Sequence, residues 1–371
     1  MEAPNNPRYF DYAASSPPWR ESVEAYVDFS YTYFANPSSN HMPGKEAKQQ
    51  LLALKKEFCD LVHFFDGRLL LCASGTEANN TIIEGHLKRF PKGKVLIAKD
   101  VHDSIWYATD KFRKAVEIIP IAPTGQISID KFEKALKEDI TLVCLSHVCN
   151  ETGTIHPIKK IAEICDGRQI KTLIDGAQSI GHVPLNLNDI PFTYFSFSGH
   201  KFGSVKSTGG LFMRDDQFDS LVHGGKQEWN LRAGTEDIAG MAAMVAAMKK
   251  NIEQLNDESA RLKTLKQILI DRLKEFPHVV VNSSENSLPG LLSLSVPGHS
   301  GKEIVSALAL SGFAISTGSA CHENQMDPSR IILAMGRDKK EAIGTIRLSM
   351  GVGTTAESVN DLANALLDLI R

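Results

Sequence analysis

The chain has 371 residues, which is long enough for two packed domains with a sizeable buried core. Its 41 basic and 44 acidic residues leave a formal charge of -3, and this balance disfavours nucleic acid as a main partner. No stretch reaches the roughly 20 apolar residues that cross a bilayer, and residues 1–7 lack a signal-peptide pattern. We therefore expect a cytoplasmic protein that contacts no membrane.

Seven short β-rich runs alternate with helical patterns in the first part of the chain. The runs cover residues 69–72, 95–98, 118–122, 140–145, 172–174, 192–197 and 210–213. This alternation predicts an α/β fold in which helices cover both faces of a mostly parallel sheet. We assign it to a large domain of residues 14–255.

A long helical pattern over residues 238–276 follows, with alanines and methionines on one face and charges on the other. It should link the large domain to a smaller one. Beyond it, residues 279–282 and 291–296 have strand patterns, and residues 302–310 and 356–371 have helical patterns, the last after a Thr354-Thr355 cap. These elements predict a smaller α+β domain of residues 1–13 and 256–371.

The six cysteines are scattered and form no Cys-x-x-Cys pair, so we predict neither a disulfide framework nor a metal site. Cys321 differs from the rest because residues 316–322 are small, polar and typical of a loop. The other cysteines lie in apolar or helical patterns and are expected in the core: Cys59, Cys72, Cys144, Cys149 and Cys165.

Polar residues follow several predicted strands, at the edge where parallel sheets bind ligands. A glycine turn with Gly75 and Thr76 opens a helix whose free N–H groups could hold a phosphate, although such a turn is also an ordinary helix cap. His102 follows the next strand and could stack on a cofactor ring, although a single histidine is more often structural.

Asp175 follows a later strand, where its carboxylate could pair with a protonated pyridine nitrogen and Gln178 could face the ring's phenolic oxygen; a helix-capping role is the alternative. Lys201 follows an aromatic run in which solvation should be poor, which favours an amine able to form an imine. Ser198 and His200 beside it suit a phosphate. Together these residues predict a pyridoxal phosphate (PLP) site.

A series of motifs from Tyr9 to nearly the end of the chain resembles the NifS/IscS-type cysteine desulfurases, which are class V members of the fold-type I PLP enzymes. The motifs are Asp11-Tyr12-Ala13-Ala14, Asn36-Pro37-Ser38-Ser39-Asn40-His41, Thr76-Glu77-Ala78-Asn79-Asn80, Asn150-Glu151-Thr152-Gly153-Thr154-Ile155, Asp175-Gly176-Ala177-Gln178, Ser198-Gly199-His200-Lys201, Gly224-Gly225-Lys226-Gln227-Glu228, Leu231-Arg232-Ala233-Gly234-Thr235-Glu236, Gly318-Ser319-Ala320-Cys321 and Ile346-Arg347-Leu348-Ser349-Met350-Gly351. Trp229-Asn230 departs from the Arg-Gly that is commoner in this family.

The resemblance implies a fold-type I PLP enzyme that converts L-cysteine to L-alanine and leaves a persulfide on Cys321. Lys201 would form the Schiff base with PLP, Asp175 would bind the pyridine nitrogen, Gln178 would bind the phenolate oxygen, and His102 would stack and move protons. The other implied contacts are the phosphate ligands Gly75, Thr76, Ser198, His200 and, from the second subunit of a homodimer, Thr235, together with Asn150 and Arg347 at the substrate.

Three alternatives stay open at the level of the sequence. The chain could be a selenocysteine lyase or another class V lyase or aminotransferase, and an aminotransferase would not need the Cys321 thiol. Cys321 as a structural cysteine is a separate alternative. It could also be a sulfur carrier that depends on a partner for activity. A sulfur acceptor or scaffold protein is implied, but the sequence does not decide between iron-sulfur cluster assembly, tRNA thiolation and another destination.

Overall fold

The structure is a computed structural model that describes residues 6–274, 276–318 and 328–370. Within these ranges the strands form a seven-stranded sheet and a three-stranded sheet. The strands are β1 Arg68–Cys72, β2 Lys94–Ala98, β3 Val116–Ile119, β4 Ile140–Ser146, β5 Lys171–Asp175, β6 Tyr194–Ser198, β7 Gly209–Met213, β8 Val280–Val281, β9 Leu291–Ser295 and β10 Thr345–Ser349. The helices are α1 Arg20–Thr32, α2 Met42–Leu61, α3 Gly75–Arg89, α4 Asp103–Asp110, α5 Ile129–Ala135, α6 Ile158–Gly167, α7 Ile238–Leu273, α8 Gly301–Leu310, α9 Arg330–Ala334, α10 Lys339–Ile343 and α11 Ala356–Ile370.

The larger sheet has the order β1-β7-β6-β5-β4-β2-β3. The five neighbouring strands β6, β5, β4, β2 and β3 are parallel to one another. Strand β7 is antiparallel to both of its neighbours, β1 and β6. The predicted mostly parallel α/β sheet is therefore confirmed. The run expected at residues 118–122 is shifted, since β3 ends at Ile119. Pro120 follows it and has no N–H to continue the ladder.

The core of this sheet explains why the aromatic run before Lys201 is a strand. Every residue of β6 is buried, and the Phe197 ring packs on Phe58 of α2 at a centroid distance of 5.3 Å. Phe58 also stacks on Phe212 of β7, with ring centroids 5.9 Å apart. The carboxyl end of β6 is thus fixed between a helix and a strand.

The three-stranded sheet is antiparallel, in the order β10-β9-β8, and forms its own core with α8, α11 and part of α7. The first half of α7 places Met241 and Met248 in the larger core, whereas Leu265 and Leu269 lie in the smaller one. Ile332 of α9 packs in the larger core, although it falls in the segment assigned to the small domain. The division at residue 13 and at residue 255 remains a prediction.

The N-terminal segment lies between the two sheets. Tyr9 pairs with Ala314 and Asp11 with Ser349 in isolated parallel bridges, so the chain enters beside β10. The next residues, Ala13 and Ala14, reach Lys201 after the end of β6. No helix in the described ranges is long and apolar enough to cross a membrane.

Candidate active site

Residues from different strand ends meet at the carboxyl edge of the large sheet. The backbone N–H of Gly75, at the start of α3, donates to Ser198 Oγ at the end of β6 over 2.8 Å. A Cβ atom on Gly75 would lie 3.0 Å from that oxygen, so a side chain at this position would crowd it. Thr76 is exposed in the first turn of α3. The predicted glycine turn and helix start are confirmed as structural features.

Asn79 joins three of these segments, and its role is visible only in the structure. It is fully buried on α3. Its Nδ2 donates to Asp175 Oδ2 over 3.0 Å and to Ser104 Oγ over 2.9 Å, and its Oδ1 accepts from Ser196 Oγ over 2.6 Å. The sequence signal that could indicate a role for Asn79 is its spacing. It lies four residues, or about one helical turn, after Gly75 of the predicted phosphate-binding turn.

His102 stands at the N-cap of α4, and its Nδ1 accepts a hydrogen bond from the Ser104 N–H over 3.1 Å. This contact assigns the proton of the neutral ring to Nε2. Burial lowers the pKa of His102; the Asp175 carboxylate opposes that effect, and the Lys201 ammonium adds to it. The neutral imidazole can therefore exchange a proton at Nε2.

Asp175 ends β5 and is buried. One carboxylate oxygen accepts from the Ala177 N–H over 2.9 Å, and the other accepts from Asn79. The first contact is a local turn contact and not the helix cap that was the alternative, because the next helical element after β5 is the 3-10 turn Leu187–Asp189. It orients the carboxylate.

Lys201 lies in a short 3-10 turn after β6, and its Nζ donates to the carbonyl oxygens of Ala13 and Ala14 over 2.6 and 2.9 Å. Its pKa is lowered to about 8, mainly by burial and also by the Arg347 guanidinium, while Asp11 and Asp175 oppose the shift. Gln178 Nε2 also donates to the Ala13 carbonyl, over 2.8 Å. The same backbone oxygen therefore accepts hydrogen bonds from Gln178 and from Lys201.

Arg347 is buried on β10, with its Nη1 on the Asn150 carbonyl and its Nη2 on Asp11 Oδ1, each at 2.9 Å. Among the residues that the structure describes, the buried atoms Arg347 Nε and Asn150 Oδ1 have no hydrogen-bond partner. Burying such atoms without a partner costs free energy, which a bound polar molecule would recover. Asp11 lies in the Asp11-Tyr12-Ala13-Ala14 motif, and its contact with Arg347 is visible only in the structure.

The geometry fits PLP. A lysine with a lowered pKa, a buried carboxylate and a neutral histidine interact at one edge, and Arg347 and Asn150 offer unpartnered buried atoms there. His200 Nδ1 lies 3.2 Å from Ser15 Oγ, and burial lowers the His200 pKa to about 4.

Thr235 differs from the other predicted ligands. It is exposed, and no hydrogen bond among the described residues joins it to this network. Nearby, Arg232 Nε pairs with Glu77 Oε1 of α3 at 2.9 Å. The same segment includes Trp229 and Asn230, with φ of 58° and 65°. The left-handed conformation is strained for Trp229, whereas asparagine tolerates it better.

Cys321 lies outside the described residues, but both flanks of its segment meet the same side chain. Ser329 Oγ donates to Glu151 Oε2 over 2.5 Å, and a Cβ on Gly318 would lie 3.1 Å from Glu151 Cγ. Glu151 is buried next to Asn150, and burial raises its pKa. Gly318 and Ser329 therefore both lie next to Glu151, the residue after the predicted substrate contact Asn150.

Comparisons with known proteins show the family of the chain. Residues 8–362 match the family model described as aminotransferase class-V. Cysteine desulfurase IscS of Dictyoglomus turgidum is 32% identical, over 98% of this chain and 95% of its own. Among solved structures, a NifS-like protein has a TM-score of 0.90 at 26% identity, over 98% of this chain and 99% of its own. The protein SspA, solved in complex with cysteine, has a TM-score of 0.81 at 27% identity, over 94% of this chain and 100% of its own.

The fold and the site define a PLP-dependent enzyme of fold type I. The chain belongs to the class-V aminotransferase family, among the cysteine desulfurases of the NifS/IscS type.

Proposed function

We propose that this enzyme converts L-cysteine to L-alanine and holds the released sulfur as a persulfide on Cys321 for transfer to an acceptor protein. The observation that carries the proposal is the placement of Lys201. Lys201 is half-buried, burial is the main cause that lowers its pKa to about 8, and the charges of Arg347, Asp11 and Asp175 also act on it. Such a lysine is partly unprotonated near neutral pH and can act as a nucleophile.

The residues that would hold PLP come from four strand ends. Lys201 would bind it covalently, Asp175 would pair with the pyridine nitrogen, Gln178 would face the phenolic oxygen and His102 would stack on the ring. When bound, PLP supplies an electron sink for bonds at the substrate Cα. The phosphate would be held by Gly75, Thr76, Ser198 and His200, with Thr235 of the partner subunit.

Arg347 would bind the carboxylate of the substrate. A guanidinium offers two parallel N–H groups to a carboxylate, and Arg347 Nε is a buried donor without a partner. Asp11 and the Asn150 carbonyl hold the guanidinium plane, so it is oriented before substrate arrives. The Asn150 side chain would orient substrate and ring.

His102 and Cys321 would carry out the remaining steps. His102 Nε2 would give or take a proton, because its Nδ1 is occupied by the Ser104 N–H. The Cys321 thiolate would attack the sulfur of the bound cysteine. A sulfur–sulfur bond forms as the carbon–sulfur bond breaks, and the electron pair of that bond stays with the carbon that becomes the methyl group of alanine.

The test is a product assay on wild type, Cys321→Ser and the control Cys59→Ser, with L-cysteine and a reductant. Cys59 is a half-buried thiol of α2, and burial raises its pKa to about 11. We expect equimolar alanine and sulfide from wild type and from the control, and a loss of sulfide in Cys321→Ser. Mass spectrometry should find one added sulfur on the peptide that contains residue 321.

Undiminished sulfide from Cys321→Ser would contradict the role of Cys321. Alanine and sulfide absent from wild type, with an amino acceptor consumed, would favour an aminotransferase. A rate that appears only when an acceptor protein is added would favour the partner-dependent carrier. Selenocysteine in place of cysteine tests the lyase alternative in the same assay.

A homodimer is part of the proposal. Helix α1 exposes an apolar stripe of Val23, Val27 and Tyr31, with Phe34 just beyond its end, which a second copy would cover. Ultracentrifugation of wild type and of a Tyr31→Asp variant tests it; we expect a dimer that the charge weakens. A cytoplasmic location and a role in iron-sulfur cluster assembly are further parts of the proposal.

A further inference from the structure

Arg330 is the first residue of α9, and its side chain joins that helix to the turn before His102. Its Nη1 donates to the Lys99 carbonyl, and its Nη2 donates to the Val101 carbonyl over 2.7 Å. These two oxygens lie on the backbone between β2 and α4. One planar guanidinium therefore binds the carbonyls of the residues on either side of Asp100. The second of these, Val101, directly precedes His102.

Two further contacts fix the same guanidinium. Nη2 lies 3.4 Å from Asp103 Oδ1, and the Arg330 Cζ lies 4.1 Å from the centre of the Trp106 ring on α4. Arg330 thus contacts residues before and after His102 without contacting His102 itself. Its side chain is only 24% exposed, so these bonds are largely shielded from water.

The neighbouring contacts show that the helix start is anchored as well. Ser329, one residue before Arg330, donates to the buried Glu151. Asp100, inside the turn, pairs with His156 at 2.7 Å, and both side chains are fully buried. The turn therefore has contacts on two sides. His156, in the loop after β4, binds Asp100, and Arg330 of α9 binds the Lys99 and Val101 carbonyls.

We propose that Arg330 is a positioning residue that fixes the β2–α4 turn, and through it the ring of His102, for proton transfer. The inference rests on the proposed role of His102 in the enzyme. The charged groups that act on His102 are Asp175 after β5, Lys201 after β6, Asp103 on α4 and Arg330 on α9. The guanidinium charge and the fork geometry are separable by mutation.

The test compares the holoenzymes of wild type, Arg330→Leu and Arg330→Lys with the control Arg113→Leu. Arg113 is an exposed residue just after α4 that pairs only with Asp110 among the described residues. Amide hydrogen exchange reports the order of residues 99–105. Histidine NMR, assigned with His102→Asn, reports the titration of the imidazole.

In Arg330→Leu we expect faster exchange confined to residues 99–105 and a higher pKa of His102, because a nearby cation is removed. We expect kcat to fall about tenfold with KM changed less than about twofold, since Arg347 is untouched. Arg330→Lys keeps the charge but cannot span both carbonyls, so its exchange should rise while the pKa of His102 stays near that of wild type. Arg113→Leu should resemble wild type.

The proposal would be overturned if both Arg330 variants exchanged the amide hydrogens of residues 99–105 at the wild-type rate. Faster exchange over the whole chain would also overturn it, because Arg330 would then serve general stability. Neither exchange nor NMR depends on turnover, so a failure of the desulfurase proposal leaves this result interpretable.

Discussion

At the scale of single residues, Asn79 decides how Asp175 and His102 lie relative to each other. Its amide is the direct link to Asp175 and reaches His102 through Ser104. The two contacts of Asn79 are buried, where a missing partner is more costly than at the surface. The positions of Asp175 and His102, the two predicted ring contacts, therefore depend on the buried Asn79.

Replacing Asn79 by leucine should destabilise the fold by about 1–3 kcal/mol, because Asp175, Ser104 and Ser196 each lose a buried partner. We also expect a lower kcat for alanine formation at a cofactor content equal to that of wild type. The control is Asn188→Leu, since that side chain is exposed. An Asn79→Leu enzyme with wild-type kcat and denaturation midpoint would contradict this account.

Replacing Arg347 by lysine tests the carboxylate site. A lysine keeps the charge but loses the two parallel N–H groups and the bonds to both Asp11 and the Asn150 carbonyl. We expect KM for cysteine to rise at least about tenfold, which corresponds to about 1.4 kcal/mol. Steady-state kinetics of alanine release would measure it; an unchanged KM would show that the carboxylate binds elsewhere.

The predictability of the site differs from residue to residue. Lys201, Asp175 and His102 could be proposed from the sequence because each follows a β-rich run. The carboxyl ends of parallel strands lie at one edge of a sheet, where ligands bind. Asn79, Asp11 and Arg330 could not, since their roles depend on partners that are distant along the chain. Asp11 and Arg347, for example, are separated by 336 residues.

At the scale of elements, helix α2 packs on β6, the strand that ends at Ser198 just before Lys201. Phe58 is fully buried and contacts both Phe197 of β6 and Phe212 of β7. This packing buries the aromatic run as a strand. The sequence alone could not show that α2 is the helix that packs on it. The shorter β3 shows the opposite case, in which a local residue, Pro120, ends an element that hydrophobicity would have extended.

Phe58→Ala should lower the free energy of unfolding by about 3–5 kcal/mol, since it leaves a cavity between α2 and the sheet. Phe65→Ala is the matched control because that ring is 63% exposed, and its change should stay within about 0.5 kcal/mol. Urea denaturation measures both. Equal effects of the two substitutions would contradict the packing described here.

At the scale of the whole molecule, buried histidines make stability depend on pH. Burial lowers the pKa of His86, His147 and His200 from 6.5 to about 4. Between these values the unfolded chain binds protons that the folded chain does not bind, so stability falls as the pH decreases through this window. We expect the urea midpoint at pH 5 to be lower than at pH 7.

The variant His86→Gln separates this effect from the active site, because His86 contacts Thr141 on β4 rather than the cofactor ligands. Its urea midpoint should change less between pH 7 and pH 5 than that of wild type. A slope as steep as in wild type would show that His86 does not contribute to the loss of stability in acid.

Two lysines have a pKa of about 8, and they provide the sharpest test of the whole account. Lys201 lies among Asp175, Asp11 and Arg347, whereas Lys266 Nζ donates to Ser287 Oγ over 2.7 Å and burial alone lowers its pKa. A lowered pKa by itself therefore does not select the cofactor lysine, but the surrounding charges do.

The measurement is to add PLP to the purified protein, fix the cofactor link with borohydride and map the modified peptide by mass spectrometry. The account predicts the label on Lys201, and its loss in Lys201→Ala together with alanine production from cysteine. Lys266→Met should keep both. A label on Lys266, or turnover by Lys201→Ala, would contradict the assignment of this site.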